Sequence, residues 1–414
     1  MPTVYDKSGL GLGDRVASEV IKWYEKPHGL DDKGLKLFRN ARPKADEYSI
    51  LAAIVEVGSG QVLDGRKRQK VEKIRVLSMA TGLKVVPSKK LADISKGRML
   101  HDMHAEVLAM RVFNWMILKE VEEMENGDRT MDKREDLDSS LLARCENGKY
   151  RLKDEAGALA LYISDIPCGD ASIENIREGC SGQADWEEGE GDGLLRGRGY
   201  FGSVGKVRTK PGRKDSPISY SKSCSDKLCL KQFTSLLSSD TYDLIDESHM
   251  GQFYLRYVIL PHEKIREEGI ERCFYGRFAK DLKQHERLGK ALRVVKVIPT
   301  DMESPGYTLS TNAEKAPSAL AMIYCCRGLV QVLNKGVRNG CSAKKLIKRD
   351  SRSEICRESM QQLAQRLRPE RFQGLKTYSE FKSGVHDLRM IRNDAKEMLG
   401  NWTQSSDDDF VLGE

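Results

Sequence analysis

The chain has no uninterrupted apolar stretch of ~18 residues, which excludes a membrane-spanning helix. Its opening, MPTVYDKSGLG, lacks the basic-then-apolar order of a secretory signal, and no such signal is expected. The ten cysteines form no spaced framework, and several, such as Cys325 and Cys326, sit in apolar runs. That pattern reads as reduced thiols in a cytoplasmic or nuclear protein rather than as disulfides. Internal repeats are missing, and so is any clean linker. The 414 residues are therefore read as a single domain, 1–414.

A hydrophobic fraction of 39% beside 32% charged residues suits a globular chain with a real core. The net charge of +7 is compatible with a polyanionic partner without requiring one. Part of the basic excess lies in 204–231, which carries Lys206, Arg208, Lys210, Arg213, Lys214, Lys222, Lys227 and Lys231 against Asp215 and Asp226.

Helix and strand patterns alternate. Residues 13–24 place Val16, Val20, Ile21 and Tyr24 on one helical stripe. Apolar runs at 48–57, 73–79, 158–164, 253–260 and 292–298 predict strands. The alternation predicts an α/β fold with a mixed sheet flanked by helices. Two segments, 119–156, which is crowded with charge and continues a helix into a polar loop, and 181–200, which is Gly-rich, read as surface insertions. From about 316 onward, helix formers and Lys/Arg predict a helical C-terminal part.

Three short motifs carry chemistry. His104-Ala105-Glu106 opens a strongly amphipathic stretch in which Ala105, Leu108, Ala109, Val112, Phe113, Met116 and Ile117 recur at helical spacing. Pro167-Cys168-Gly169-Asp170 follows the strand-like ALALYISDI, so Cys168 falls at a strand-to-helix junction. Ser223-Cys224-Ser225-Asp226-Lys227 sets a thiol beside a lysine at another helix start, surroundings that favour the thiolate. One imidazole and two thiolates are the donors of a catalytic zinc site with its fourth position open to water. A carboxylate two residues from the histidine can shuttle the proton, the logic of zinc deaminases. Each motif alone reads equally as a turn or a buried thiol. The Pro-Cys-x-x-Cys pattern of small-molecule deaminases is absent, because Ala171 stands at its second cysteine.

The strings HAEVLAMR, LYISDIPCGDASI, RTKPGRKDSP and SCSDKL, in this order, resemble the deaminase domain of the ADAR-like adenosine deaminases, as does SMATGLK before them. In that family the second cysteine ligand comes from SCSDK, which accounts for Ala171. RTKPGR and GDRVASEVIKWY are similar to the branch acting on tRNA. With only twelve residues before residue 13 in this sequence, double-stranded-RNA-binding modules are not expected there. The resemblance implies a cytidine-deaminase-like sheet and hydrolysis of adenosine to inosine at position 37 of alanine tRNA. It implies one zinc on His104, Cys168 and Cys224, with Glu106 as proton shuttle, and no obligate protein partner.

The resemblance further implies that the helical C-terminal part encloses inositol hexakisphosphate, held by Arg111, Lys227, Arg338, Tyr378, Lys382 and Trp402, with Asp102 and Lys227 lying between metal and polyphosphate. The chain departs from the family at Met110 and Leu230, where many relatives place Arg, and around 383–400. The expected RNA contacts are Lys84, Arg208, Lys210 and Arg213. Two other functions fit parts of this pattern. One is a deaminase of free nucleosides or cytidine, which the split cysteine pair and basic loop disfavour. The other is an inactive RNA-binding scaffold with a structural zinc, for which Glu106 would have no use.

Overall fold

The computed structural model describes residues 2–27, 30–64, 67–127, 140–179, 195–197, 200, 202–210, 216–304, 315–400, 402–403 and 408–413, with backbone alone at 59–64 and 67–72. Its centre is an eight-stranded mixed sheet. In chain order the strands are β1 (Leu51–Asp64), β2 (Lys67–Thr81), β3 (Ala158–Ile163), β4 (Leu255–Pro261), β5 (Lys296–Thr300), β6 (Leu320–Cys325), β7 (Leu329–Asn334) and β8 (Val337–Arg338). They lie in the order β5-β4-β3-β1-β2-β6-β7-β8. Only β5-β4 and β4-β3 pair in parallel; every other pair is antiparallel.

Both faces of this sheet are covered, so its central strands are continuous apolar runs. Along β1, Ala52 and Ile54 face one core while Leu51, Ala53 and Val55 face the other. Along β3, Leu159, Leu161 and Ile163 oppose Ala160 and Tyr162 in the same way. Helix α1 (Leu10–Glu25) covers the second face with Val16, Ala17, Val20 and Tyr24. Helix α2 (Ala105–Asn126) covers the first. The whole predicted stripe of α2 is buried, and Met110, Asn114, Trp115 and Leu118 are buried too. The sheet takes one side of α2, and α4 (Arg357–Leu367) packs on it as well.

Two expectations are corrected. The segment from 316 is not helical at first: Leu320–Asn334 forms β6 and β7, whose buried apolar residues extend the sheet beyond β2. Helices resume only at α4, followed by α5 (Tyr378–Gly384) and α6 (His386–Leu399). Nor is 119–156 wholly a surface insertion. Residues 119–126 continue α2 as expected, but the hairpin Leu142–Arg144/Tyr150–Leu152 buries Leu142, Tyr150 and Leu152 in the core. The insertion expected at 181–200 lies almost entirely outside the described residues. A third apolar cluster joins α3 (Cys224–Thr234) to α6 through Cys229, Phe233, Ala395 and Leu399. No described helix is long and apolar enough to cross a membrane. The nine described cysteines are all free thiols.

Candidate active site

Three segments converge beneath one end of α2. The short strand Asp102–His104 pairs antiparallel with Leu83–Val85, and His104 is the residue just before α2. This strand approaches Gly82 so closely that a Cβ there would lie 2.1 Å from the Met103 carbonyl oxygen, and only glycine admits the approach. Cys168 lies in the turn after β3. Gly169 follows at φ 108°, where a Cβ would meet Ser223 Oγ at 2.2 Å. Cys224 opens α3 behind its cap Ser223, which accepts a hydrogen bond from the Asp226 amide. Asp226 locks the arrangement, accepting from the Arg208 amide (2.9 Å), Ser223 Oγ (2.6 Å) and the buried Arg277 guanidinium (2.6 Å).

His104 Nδ1 lies 3.8 Å from Cys168 Sγ and 3.6 Å from Cys224 Sγ. All three donor atoms stand within 4.8 Å of one another. Tetrahedral zinc with bonds of ~2.0–2.3 Å sets its ligand atoms about 3.5–3.8 Å apart, so spacing and donor types both fit such an ion. The Cys224 amide at the start of α3 donates to Cys168 Sγ (3.3 Å). The Cys168 thiol is held well below its usual range, first by a hydrogen bond from Cys224, then by the nearby Lys210 and His104. Metal binding needs the thiolate.

Glu106, in the first turn of α2, is buried, and its Oε2 has no hydrogen-bond partner among the described residues. Burial pushes its carboxyl up, against the opposing pull of His104. An unpaired buried carboxylate oxygen is costly unless something from outside the chain meets it.

Behind the triad runs a charged relay. Lys210 is buried and donates to Asp102 Oδ2 (2.7 Å) and Cys224 Sγ (3.2 Å). Ser221 Oγ donates to the same Asp102 oxygen at 2.7 Å, and Lys227 pairs with it from the other side. Burial works against the Asp102 charge, yet Lys210 and Lys227 hold the carboxyl well below the carboxylate range. Lys210 is pushed up: burial opposes its charge, and Asp102 followed by the two thiols outweigh it.

Two of the expected RNA contacts are thereby corrected. Lys210 serves this relay, and Arg208 is 1% exposed, its guanidinium donating to the carbonyls of Tyr200 and Ser203. Both are internal because 208–210 pairs antiparallel with 221–223, the segment that leads into Cys224. Lys84 is half-buried on the strand opposite Met103, and Arg213 lies outside the described residues.

Beyond Lys227 the structure gathers cations with few anions. Lys382 Nζ lies over the Tyr378 ring at 5.6 Å, and neither Lys382 nor Arg392 has a carboxylate partner among the described residues. Lys396 Nζ sits 5.9 Å from the Trp402 ring centroid. Burial, then the charges of Arg357, Arg392 and Lys396, depress Lys382 to about 8. Burial, then Arg392, depress Lys396 to about 8. The acids of the group are Asp408, which pairs with Arg357 at 3.2 Å, and Asp240, which Arg111 and Lys382 face and whose Oδ1 is buried without a partner among the described residues. Arg111 itself donates to the Ile355 carbonyl. Of the anion ligands expected from sequence, Arg338 is corrected: it is exposed on the edge strand β8 and reaches only the Asp350 carbonyl, 3.5 Å away. Sequence reading missed Arg357, Arg392 and Lys396. The i, i+4 spacing of the last two on α6 was a visible signal.

A second cluster, Cys145, Asp246 and His249, also brings potential donors together. There the Asp246 carboxylate is already engaged by Ser248, Asn147 and His249, so it acts as a clasp between the hairpin and the turn that follows Asp246.

Comparison with known proteins agrees with this geometry. The family described as "Adenosine-deaminase (editase) domain" matches residues 78–406. The tRNA-specific adenosine deaminase 1 of Schizosaccharomyces pombe is 35% identical over 344 residues, covering 80% of this chain and 83% of the relative. The protein of that name in Saccharomyces cerevisiae is 29% identical over 418 residues, covering 96% and 94%. In Mus musculus the like-named protein is 28% identical over 142 residues, 34% of this chain and 26% of its own. With its histidine, two cysteines and buried glutamate assembled at one end of α2, the chain belongs to the adenosine-deaminase (editase) domain family.

Proposed function

We propose that this protein hydrolyses adenosine to inosine in tRNA, with adenosine 37, beside the anticodon of alanine tRNA, as its target. The observation that carries the reading is Glu106 Oε2, buried and without a hydrogen-bond partner among the described residues, in the helix that His104 of the His104–Cys168–Cys224 triad precedes. When bound to that triad, zinc supplies Lewis-acid activation of a water molecule. Glu106 takes a proton from the attacking water, delivers one to N1 of the base and assists departure of ammonia from C6. Water enters and ammonia leaves, so no other reactant is needed. Burial of Glu106 favours its accepting a proton, the role this chemistry asks of it. A loop adenosine enters the site at low unstacking cost, which suits an anticodon loop better than a long duplex.

The names of the two yeast relatives support tRNA as substrate, since both cover over four-fifths of their own length in the match. We read 1–414 as one catalytic domain acting in the cytoplasm or nucleus. The test is inosine mapping in tRNA incubated with the purified protein. Inosine at position 37 of alanine tRNA is expected; its absence from all tRNA, with inosine formed from free adenosine, would overturn the reading in favour of a nucleoside deaminase.

Inositol hexakisphosphate is the counter-ion proposed for the interior cations. Arg111, Lys227, Arg357, Lys382, Arg392 and Lys396 would hold it, with Tyr378 and Trp402 closing the site. Lys227 and Arg357 are paired with Asp102 and Asp408, but Lys382, Arg392 and Lys396 have no carboxylate partner among the described residues; buried cations are tolerated only when an anion compensates them, and arginine forks match phosphate. The group would supply charge neutralisation and support for α3, α5 and α6, with no part in the reaction itself. Acid extraction of the purified protein followed by mass spectrometry should release it.

A further inference from the structure

The basic excess of the chain is not spread evenly. Segments 84–96 and 335–349 together contain ten Lys or Arg and one acid, Asp93. The chain as a whole has 69 basic and 62 acidic residues, so everything else holds 59 and 61 and is net −2. The two segments are far apart in sequence, yet the fold joins them. The Leu100 amide donates to the Gly336 carbonyl at 2.8 Å, and the Ile347 amide to the Ile94 carbonyl at 3.1 Å. Lys90 and Lys335 are near enough that, after burial, Lys335 is what depresses Lys90.

This surface is held rigidly. Ala343 and Ile347, four residues apart, are buried, and Arg98 donates to the Ile347 carbonyl at 3.0 Å. Lys344, Lys345 and Lys348 are thereby left exposed. Those three, with Lys89, Lys90 and Lys335, have no carboxylate partner among the described residues. The surface also adjoins the active site. The helix Ser88–Ile94 follows directly on Leu83–Val85, the strand paired with the His104 strand. The Ser88 amide donates to the Ile218 carbonyl, and Tyr220 donates to Ser88 Oγ, in the loop leading to Cys224.

We propose that this ledge, formed by Lys89, Lys90, Lys335, Lys344, Lys345 and Lys348, binds the phosphate backbone of the tRNA flanking the target loop. The inference rests on the reading of tRNA as substrate and adds the surface that holds it. An unpaired cationic surface tied by strand pairing and hydrogen bonds to the segments that carry His104 and Cys224 fits a polyanion that also reaches the metal triad. Such contacts position RNA without reading its sequence. They replace in this role Arg208 and Lys210, which the fold has turned inward.

The test is tRNA binding by filter retention across a range of salt, with steady-state deamination alongside. The proteins are the wild type, Lys344→Ala/Lys345→Ala/Lys348→Ala, the same triple to Arg, and Lys89→Ala/Lys335→Ala. The triple Ala variant should weaken tRNA binding about tenfold and make the salt slope shallower by roughly two to three. KM should rise with kcat within about twofold, since no ledge residue touches the reacting atoms. The triple Arg variant should bind like wild type, because charge rather than shape is required. Unchanged affinity and slope in both Ala variants would overturn the ledge and leave another acidic partner as its occupant. Binding is read without turnover, so a wild type that binds tRNA through the ledge but forms no inosine would refute the proposed substrate and not the ledge.

Discussion

Lys210 Nζ stands 2.7 Å from Asp102 Oδ2, and both side chains are buried beside the metal triad. A lysine from the most basic-looking loop of the sequence is thus an internal counter-ion. Lys210→Ala leaves a buried carboxylate short of one partner, and stability should fall by about 3 kcal/mol, the lower part of the range for broken buried pairs because Lys227 remains. Asp102→Asn should cost a similar amount, and the double variant less than the sum. Urea denaturation of the four proteins checks this; additive losses would show that the two groups are not coupled.

Glu106→Gln preserves shape while removing the proton acceptor. Turnover should drop by at least ~10²–10⁴-fold, the usual contribution of a positioned acid–base group. Zinc content by plasma mass spectrometry should stay at the wild-type level, because Glu106 is not among the three clustered donors. Retained activity in this variant would remove Glu106 from the chemistry.

Gly169→Ala puts a methyl group 2.2 Å from Ser223 Oγ at a backbone φ of 108°. Strain of about 1–3 kcal/mol and a displaced Cys168 should follow. Zinc should then be lost to a mild chelator faster than from wild type. Gly127→Ala, also at positive φ but with open space around it, is the control that should keep its metal.

The interior lysines predict a pH effect of definite sign. Lys382 and Lys396 are depressed to about 8, below the ~10.4 of an unfolded lysine. Without an anion, the cost of charging them is fully present below pH 8 and is relieved as pH rises from about 8 to about 10. Anion-free protein should therefore gain stability over that window. Inositol hexakisphosphate should reverse the trend, raise both pKa values and cause proton uptake on binding near pH 8. Thermal melts with and without the polyphosphate, and calorimetry in two buffers of different ionisation enthalpy, measure both effects.

Local pattern announced much of this molecule. The stripe from Ala105 to Ile117 is the buried face of α2, and the runs at 158–164 and 253–260 are β3 and β4, because apolar spacing dictates which face a local element buries. His104, Cys168 and Cys224 were each legible at an element boundary, where ligands can project from a rigid support. The tail was misread because Leu320–Cys325 has the short apolar run of a buried strand, which composition alone does not separate from helix.

What the sequence determined by itself was the inventory: which elements form, and which donors stand at their ends. Tertiary structure alone decided which charges face water. Arg208 and Lys210 look like solvent cations in a string of basic residues, yet the fold buries them beside the segment that opens at Cys224, where the Arg208 amide donates to Asp226, Lys210 donates to Asp102 and Cys224 Sγ, and a backbone carbonyl takes the Arg208 guanidinium. Lys89 and Lys345 look no different in sequence, but Ile94 and Ile347 pin their segments together and turn them outward. A charge is stable inside only with a partner at hydrogen-bond distance, and the carboxylate that Lys210 needs, Asp102, lies 108 residues away along the chain.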